Sequence, residues 1–308
     1  MNIWALITSL ILSWNLSVAS TYNLPLAMLL NEGDGNVRVV LESKALDEKV
    51  VIPHKKDNKS WGVKITAQAA AVLDEESGLI LWQKNANAER SIASITKLMT
   101  ALVFLQHNPG WETLVTMEAS DETHENKANI YRGETVSVKD LFYVGLVASD
   151  NNAIKALARS TNLSEADFIK LMNEKAASLG LKDTKFKDTT GLDDANISTA
   201  IDVLYLAQAA FKDPNIKAAT SLSSYSFVTE ANRQQKAINT NNLLRSYLNI
   251  TAGKTGSTNA AGYCLVSEIE GNKNQKIITV VLGSETHDQR FMDLKILAGW
   301  TLDNYDWF

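Results

Sequence analysis

The amino-acid sequence predicts an α/β protein with one sheet, built from strands near both ends of the folded region. Strand-like alternation occurs over residues 69–83 and returns over residues 262–283. Between these two regions, apolar residues repeat at helical spacing. Strands at both ends with helices between them predict that the terminal segments share a sheet and that the helical middle forms a second lobe.

The first predicted elements are two strands followed by a helix. Ala69–Asp74 and Leu79–Gln83 read as strands, and Glu75-Glu-Ser-Gly78 between them is a hairpin signal. A helix follows, because apolar residues then recur three and four positions apart, at Ile95, Leu98, Met99, Leu102 and Val103.

The later elements are marked by capping signals and by a return to strands. Ser137 caps an apolar helix that runs through Val147, and Ser164-Glu-Ala-Asp167 and Thr199-Ala-Ile-Asp202 are capping boxes that open two more helices. The C-terminal part then predicts two strands and a closing helix, over Gly262–Ile269, Lys276–Gly283 and Asp293–Trp300.

Composition excludes several classes of protein. The 308 residues include 45% hydrophobic and 21% charged residues, which is ordinary globular usage and not that of a disordered, collagen-like or coiled-coil chain. The net charge of −5 argues against a protein built to hold nucleic acid. A single cysteine, Cys264, and four scattered histidines provide no metal-ligand spacing, so we predict no metal and no cofactor.

The N-terminus predicts export. The apolar run Ile3–Leu12 is too short to span a bilayer and has the length of a signal-peptide core, although no Lys or Arg precedes Arg38. We therefore expect residues 1–20 to be a signal peptide or an N-terminal anchor. Residues 21–66 are expected to form a linker or extension, and residues 67–308 one larger domain.

Ser94-Ile-Thr-Lys97 is the first motif with chemical potential. One helical turn brings the lysine side chain to the face that carries the serine. A serine hydroxyl needs a base to become a good nucleophile, and a lysine acts as that base only when burial or neighbouring positive charge lowers its pKa. Alone, this spacing fits a capping serine beside a solvated lysine equally well.

Two further motifs provide partners for such a pair. Ser149-Asp-Asn151 lies on a turn between two apolar helices, where a hydroxyl can relay a proton and an amide can bind both a lysine and a substrate carbonyl. Lys254-Thr-Gly256, followed by Ser257, combines a cation and hydroxyl donors suited to a carboxylate with a glycine that allows close backbone approach. Each motif alone also fits an ordinary turn or an edge strand.

The three motifs together, in this order, resemble the serine-type D-alanyl-D-alanine peptidases, which are the low-molecular-mass penicillin-binding proteins. The similarity extends over roughly residues 65 to 300. It is carried by Ala69–Gly78, Ser91–Thr100, Phe186–Leu192, Asn196–Thr199 and Gly253–Leu265. This resemblance implies a β-lactamase/transpeptidase-like fold, with an antiparallel sheet flanked by helices and an inserted all-helical lobe.

The resemblance also implies a mechanism and a set of site residues. Ser94 is expected to attack the carbonyl between two D-alanine-like residues of a peptidoglycan stem peptide, with Lys97 as its base. Ser149 is expected to relay a proton and Asn151 to position Lys97. The substrate-binding residues implied are Lys254, Thr255, Gly256 and Ser257, with Arg290 as a second cation, and the oxyanion hole would use the backbone N–H groups of Ser94 and Ser257. β-Lactams are expected to acylate the same serine.

Two features bear on the branch of the family. Many carboxypeptidases of the family have Ser-Gly-Asn where this chain has Ser149-Asp-Asn151. Many also carry a C-terminal β domain and a membrane-binding helix after the catalytic unit, whereas this sequence stops at Phe308. Shorter relatives include D,D-endopeptidases, so both carboxypeptidase and endopeptidase activities stay open.

Two alternatives on the same fold are weighed against the peptidase. A class A-like β-lactamase would carry Glu-x-x-Leu-Asn, and the residues three positions before the two Leu-Asn pairs are Ala27 and Arg245. A catalytically silent wall-binding protein would usually lack Ser94, Lys97 or Lys254. The expected location is periplasmic or otherwise extracytoplasmic, with membrane association through the N-terminus.

Overall fold

The computed structural model describes residues 28–32, 36–40, 50–57, 60, 62–123 and 128–308, and the structural statements below concern these residues. The chain divides into two compact units, Met1–Val50 and Val51–Phe308. In the first unit, β1 (Met28–Glu32) pairs with β2 (Asn36–Val40) as an antiparallel hairpin. The predicted export segment 1–20 lies outside the described residues, as does His124.

The second unit contains a five-stranded antiparallel sheet in the order β12-β13-β14-β4-β5. Its strands are β4 (Ala69–Asp74), β5 (Ile80–Lys84), β12 (Asn249–Thr258), β13 (Gly262–Glu270) and β14 (Lys276–Ser284). Strands from both ends of this unit therefore share one sheet, as the sequence predicts, and β12 lies at one edge.

Shorter strands pair two by two outside this sheet. They are β3 (His54–Lys55) with β15 (Tyr305–Asp306), β6 (Arg90–Ser91) with β9 (Ile197–Ser198), β7 (Leu114–Thr116) with β8 (Thr135–Ser137), and β10 (Ser224–Val228) with β11 (Gln234–Ile238).

Seven α-helices complete the described part of this unit. They are α1 (Lys97–Gln106), α2 (Val138–Val147), α3 (Asn151–Arg159), α4 (Glu165–Ser178), α5 (Ala200–Lys212), α6 (Pro214–Ser221) and α7 (Gln289–Asn304). The predicted caps are present, because the side chains of Ser137, Ser164 and Thr199 each accept a backbone N–H three residues later. Among the described residues, no helix is long and apolar enough to cross a membrane.

The sheet buries both of its faces. Every residue of β4 is buried, and alternate positions join different apolar clusters. Ala71 and Leu73 belong to the cluster shared with the helices between β5 and β12, whereas Ala70 and Val72 pack with the apolar residues of α7. The predicted α/β fold, with an antiparallel sheet flanked by helices and an inserted helical lobe, is confirmed.

Candidate active site

The first motif forms the turn that leads into α1. A short 3₁₀ segment, Ala93–Thr96, precedes the helix, so Ser94 sits at its N-terminal end and Lys97 is its first residue. The two side chains meet, and Lys97 Nζ lies 2.7 Å from Ser94 Oγ. Ser94 is partly exposed whereas Lys97 is fully buried, an arrangement that leaves the hydroxyl accessible and shields the amine.

Lys97 is surrounded by three acceptors. Besides Ser94, its ammonium donates to Asn151 Oδ1 at 2.6 Å and to the carbonyl of Thr190 at 2.7 Å. Burial lowers the pKa of Lys97 to about 7, against the opposing effect of the Asp188 and Asp150 carboxylates. An amine whose pKa lies near neutrality can take up a proton and give it back at neutral pH.

The second motif is the corner between α2 and α3. Ser149 adopts a left-handed backbone conformation, with φ of 58°, which is uncommon for a residue with a side chain. Asp150 begins α3 by accepting the N–H of Ala153 at 2.9 Å, and its other oxygen accepts the N–H of Asn129 at 2.7 Å. These bonds hold the corner so that Ser149 and Asn151 both turn toward the lysines.

The third motif brings a second buried lysine to the site. Lys254, on the edge strand β12, donates to Ser149 Oγ at 2.7 Å and to the carbonyl of Thr255 at 3.0 Å. Burial lowers the pKa of Lys254 well below its ordinary value, and the charges of Lys97 and Arg290 lower it further. The structure thus brings the four predicted catalytic side chains to one place: Ser94 and Asn151 both contact Lys97, and Ser149 contacts Lys254, which the sequence analysis assigned to substrate binding.

Two glycines allow the surrounding chain to approach the backbone of Ser94. A Cβ atom on Gly256 would lie 2.8 Å from the carbonyl of Ile92 and 3.1 Å from the nitrogen of Ser94. A Cβ atom on Gly191, whose φ is 87°, would lie 2.0 Å from the carbonyl of Ala93. A side chain at either position would overlap the main chain that carries the nucleophile.

The other predicted substrate-binding residues lie along the same strand. Thr255 is buried with its hydroxyl 2.5 Å from that of Thr240, and Ser257 is exposed. Arg290 is only 4% exposed and reaches this strand by donating to the carbonyl of Gly256 at 3.3 Å. Burial lowers the pKa of Arg290 to about 10, which still leaves the guanidinium charged at neutral pH.

Sequence reasoning assigned no role to Asp188, which organises the loop that carries Thr190. One carboxylate oxygen accepts the N–H groups of Thr190 at 2.6 Å and Gly191 at 2.5 Å, and the other accepts the N–H of Asp193 at 2.5 Å. This arrangement aims the Thr190 carbonyl at Lys97. An Asp followed by Thr-Thr-Gly is a turn signal, but nothing in the sequence indicates what the turn contacts.

Metal-binding groups and the Cys264 thiol are the other sources of chemistry considered in the described residues. They contain no group of three or more His, Cys, Asp or Glu side chains that could hold a metal ion. Cys264 is buried on β13, and burial raises the pKa of its thiol to about 11, so it is not a thiolate at neutral pH.

Comparisons with known proteins give one consistent family. A family model described as D-alanyl-D-alanine carboxypeptidase matches residues 54–286. The chain is 31% identical over 250 residues to D-alanyl-D-alanine carboxypeptidase DacF of Bacillus subtilis, with 78% of this chain and 63% of the relative covered. It is 35% identical over 203 residues to a D-alanyl-D-alanine endopeptidase of Haemophilus influenzae, with 65% and 69% covered.

Solved structures agree with this result. The Streptomyces K15 DD-transpeptidase has a TM-score of 0.73 at 28% identity, with 79% of this chain and 100% of that chain covered. Penicillin-binding protein D2 of Listeria monocytogenes, in a cefotaxime-bound form, has a TM-score of 0.68 at 30% identity, with 79% and 99% covered. The predicted resemblance is confirmed at the level of sequence and of fold.

Proposed function

The chain belongs to the D-alanyl-D-alanine carboxypeptidase family of serine peptidases, and we propose that it cleaves D-alanyl peptide bonds in peptidoglycan stem peptides through an acyl-enzyme on Ser94. One observation carries the proposal: a fully buried lysine with a pKa of about 7 lies 2.7 Å from a partly exposed serine hydroxyl. Peptidoglycan lies outside the cytoplasm, so the enzyme acts there.

Acylation begins with proton transfer from Ser94 Oγ to the neutral amine of Lys97. The freed oxygen attacks the carbonyl carbon of the penultimate D-alanine, and a tetrahedral intermediate forms. The backbone N–H groups of Ser94 and Ser257 are proposed as oxyanion donors, and loss of one such donor typically costs roughly 100- to 1,000-fold in rate. Asn151 keeps the Lys97 amine beside the serine through its 2.6 Å bond.

The second pair of side chains serves the leaving group. As the peptide C–N bond breaks, the Ser149 hydroxyl gives its proton to the departing amine and takes up the proton that Lys97 received from Ser94, which returns Lys97 to its neutral form. Lys254 Nζ, 2.7 Å from Ser149 Oγ, orients that hydroxyl. Water then attacks the acyl carbon and gives its proton to Lys97. As the bond to Ser94 Oγ breaks, Lys97 returns that proton to the serine oxygen and the shortened peptide is released. All groups needed for these steps are side chains or backbone amides.

Substrate recognition is proposed to use the edge strand β12. An extended peptide can pair with the outer edge of such a strand, and the charges of Lys254 and Arg290 favour a substrate with a carboxylate. Thr255 and Ser257 add hydroxyl groups along the same strand. Arg290 is proposed to act mainly through the Gly256 carbonyl, because so little of its side chain is exposed.

Labelling with a fluorescent penicillin tests the acyl-enzyme directly. We expect a stable covalent adduct whose mass maps to Ser94, and no adduct in Ser94→Ala. Absence of the adduct in the wild-type protein would overturn the proposal and favour a silent wall-binding protein. Rapid release of hydrolysed penicillin would instead favour a β-lactamase.

Digestion of purified muropeptides distinguishes the two peptidase activities, since relatives of both names match this chain. Loss of terminal D-alanine from monomers indicates a carboxypeptidase. Conversion of cross-linked dimers to monomers indicates an endopeptidase.

We also propose that residues 1–20 direct export and, if retained, tether the enzyme to the membrane. The support is the short apolar run Ile3–Leu12. Fractionation of cells that produce the full chain, followed by N-terminal sequencing, tests this proposal. A cytoplasmic pool with an intact N-terminus would contradict it.

A further inference from the structure

The hydroxyl of Thr240 contacts the active-site strand but has no role in the mechanism above. Thr240 is half-buried and lies between β11 and the short 3₁₀ turn Asn242–Arg245. Its Oγ1 is 2.5 Å from Oγ1 of Thr255, a residue of the third motif. Because Thr240 belongs to none of the three motifs, sequence reasoning gave it no function.

Two buried asparagines hold the backbone on both sides of Thr240. The amide of Asn239, which is 8% exposed, donates to the carbonyl of Leu222 at 2.7 Å, and its Oδ1 accepts the N–H of Asn241 at 2.8 Å. Asn241, only 2% exposed, accepts the N–H of Leu243 at 3.1 Å and so begins the 3₁₀ turn. These local bonds give the segment a defined conformation, so the direction of the Thr240 side chain is fixed as well.

Thr240 also connects the second motif with the third. Its backbone N–H donates to the carbonyl of Val147 at 3.3 Å, and Val147 is the last residue of α2, just before the corner that carries Ser149. Its side chain contacts Thr255, which follows Lys254 on β12. A change of the side chain therefore alters the contact with β12 and leaves the main-chain bond to α2 in place.

The two hydroxyl groups have one hydrogen left for a ligand. A hydroxyl has a single hydrogen to donate and two lone pairs that accept. Within the described part of the chain, the Oγ1 atoms of Thr240 and Thr255 form a hydrogen bond only with each other, which uses one hydrogen of the two. A carboxylate can only accept, so a carboxylate that binds at Thr255 takes the hydrogen of that residue. Thr240 is then the donor within the pair.

We propose that Thr240 is a positioning residue for substrate recognition. Its hydroxyl donates to Thr255 Oγ1 and so directs the hydrogen of Thr255 toward the carboxylate of the residue that leaves. Successive hydrogen bonds polarise one another, so the donation from Thr240 also makes Thr255 a better donor. The inference rests on the proposed function, because it assumes that a substrate with such a carboxylate is acylated at Ser94.

The test compares a penicillin that has a free carboxylate with the methyl ester of the same penicillin. Both contain the ring amide that Ser94 opens, but only the free acid presents a carboxylate beside it. Competition with the fluorescent penicillin gives the second-order rate of acylation by each compound, and the ratio of the two rates measures carboxylate recognition. We expect the wild type to favour the free acid.

Thr240→Val keeps the shape of the side chain and removes its hydroxyl. We expect the ratio of acid to ester to fall about tenfold in this variant, the factor that corresponds to about 1.4 kcal/mol. Thr240→Ser retains a hydroxyl and should keep the wild-type ratio. Thr135→Val is the matched control, because Thr135 on β8 forms a similar hydroxyl pair with Thr116, at 2.8 Å, and should also keep that ratio.

A double-mutant cycle separates positioning from direct contact. If Thr240 acts through Thr255, then Thr240→Val should change the ratio little in a protein that already carries Thr255→Val. Two independent contacts would instead lower the ratio by the product of their separate effects, which would overturn the positioning role. The ratio compares two ligands on one protein, so a slower or less stable variant still gives a result, and Thr240→Ala replaces Thr240→Val if the latter does not fold.

An unchanged ratio in Thr240→Val would overturn the inference. Equal rates for acid and ester in the wild type would also overturn it and leave the proposed function intact, because Ser94 is still labelled. Absence of any adduct on Ser94 in the wild type would refute the proposed function itself.

Discussion

Replacement of Asp188 by Asn should move the pH dependence of acylation toward lower pH. Burial lowers the pKa of Lys97, and the negative charge of Asp188 partly offsets this effect by raising it. Replacing Asp188 by the neutral Asn removes that offset, so the pKa of Lys97 should fall below about 7. The sign follows from the role of the amine as a base. Because neutral Lys97 is proposed to accept the serine proton, the rate should rise with pH through this pKa, and a lower pKa should bring that rise to lower pH.

The wild-type pKa of Lys97 limits how much the rate of acylation can rise in the variant. With a pKa of about 7, roughly one tenth of the lysine is neutral at one pH unit below it, so the neutral fraction there can grow at most about tenfold. The substitution also has a cost in stability. Asn keeps an oxygen for the N–H groups of Thr190 and Gly191 but turns an amide toward the N–H of Asp193, and loss of a hydrogen bond to a charged group costs about 1.5–3 kcal/mol.

The assay is the second-order rate of acylation by a chromogenic β-lactam, measured across the neutral range. The midpoint of the pH profile, and not its height, reports the effect, since a loosened loop lowers the rate at every pH. Asp193→Asn is the matched control, because it removes an exposed charge from the same loop and should leave the midpoint in place. A midpoint in Asp188→Asn that stays unchanged or rises would refute the electrostatic role of Asp188.

Three further predictions concern the backbone, the fold and the second lysine. Gly191→Ala should abolish penicillin labelling and lower the melting temperature, whereas Gly78→Ala, also at positive φ but with open space around it, should only lose some stability. Glu75→Gln should flatten the pH dependence of unfolding above pH 4.5. Burial, and secondly the charge of Glu268, raise the pKa of Glu75, so above pH 4.5 the folded protein binds more protons than the unfolded chain. The wild type should therefore lose stability as pH rises from 4.5 through the raised pKa. An unchanged slope of unfolding free energy against pH in Glu75→Gln, measured by chemical denaturation, would contradict this. Lys254→Met should slow acylation by roughly 100-fold or more. It should also raise the melting temperature, because it removes an amine whose charged form is disfavoured by burial and by the charges of Lys97 and Arg290. A less stable variant would show that this buried amine is not a net cost to the folded state.

The sequence predicted the elements whose signals are local. The caps at Ser137, Ser164 and Thr199 depend on a side chain and a backbone N–H three residues apart, so a short window contains the whole interaction. The strands of the sheet were likewise visible in short apolar runs. The convergence of the three motifs, by contrast, was inferred from the family resemblance, because no periodicity brings residues 94, 149 and 254 together.

The rest of the site depends on interactions that sequence cannot display. Asp188 acts on main-chain N–H groups, which every residue but proline provides, so its partners leave no mark in the sequence. The lowered pKa values of Lys97 and Lys254 arise from burial by elements far apart in the chain.

The backbone contacts of Gly191 and Gly256 have a consequence for antibiotic resistance. The proposed oxyanion donor at Ser94 belongs to the main chain of residues 92–94, and a Cβ atom on Gly191 or on Gly256 would overlap that main chain. A single substitution there cannot loosen the hole for a β-lactam and keep it for a peptide. We therefore expect substitutions that reduce β-lactam acylation but keep peptide cleavage to lie at positions other than Gly191 and Gly256.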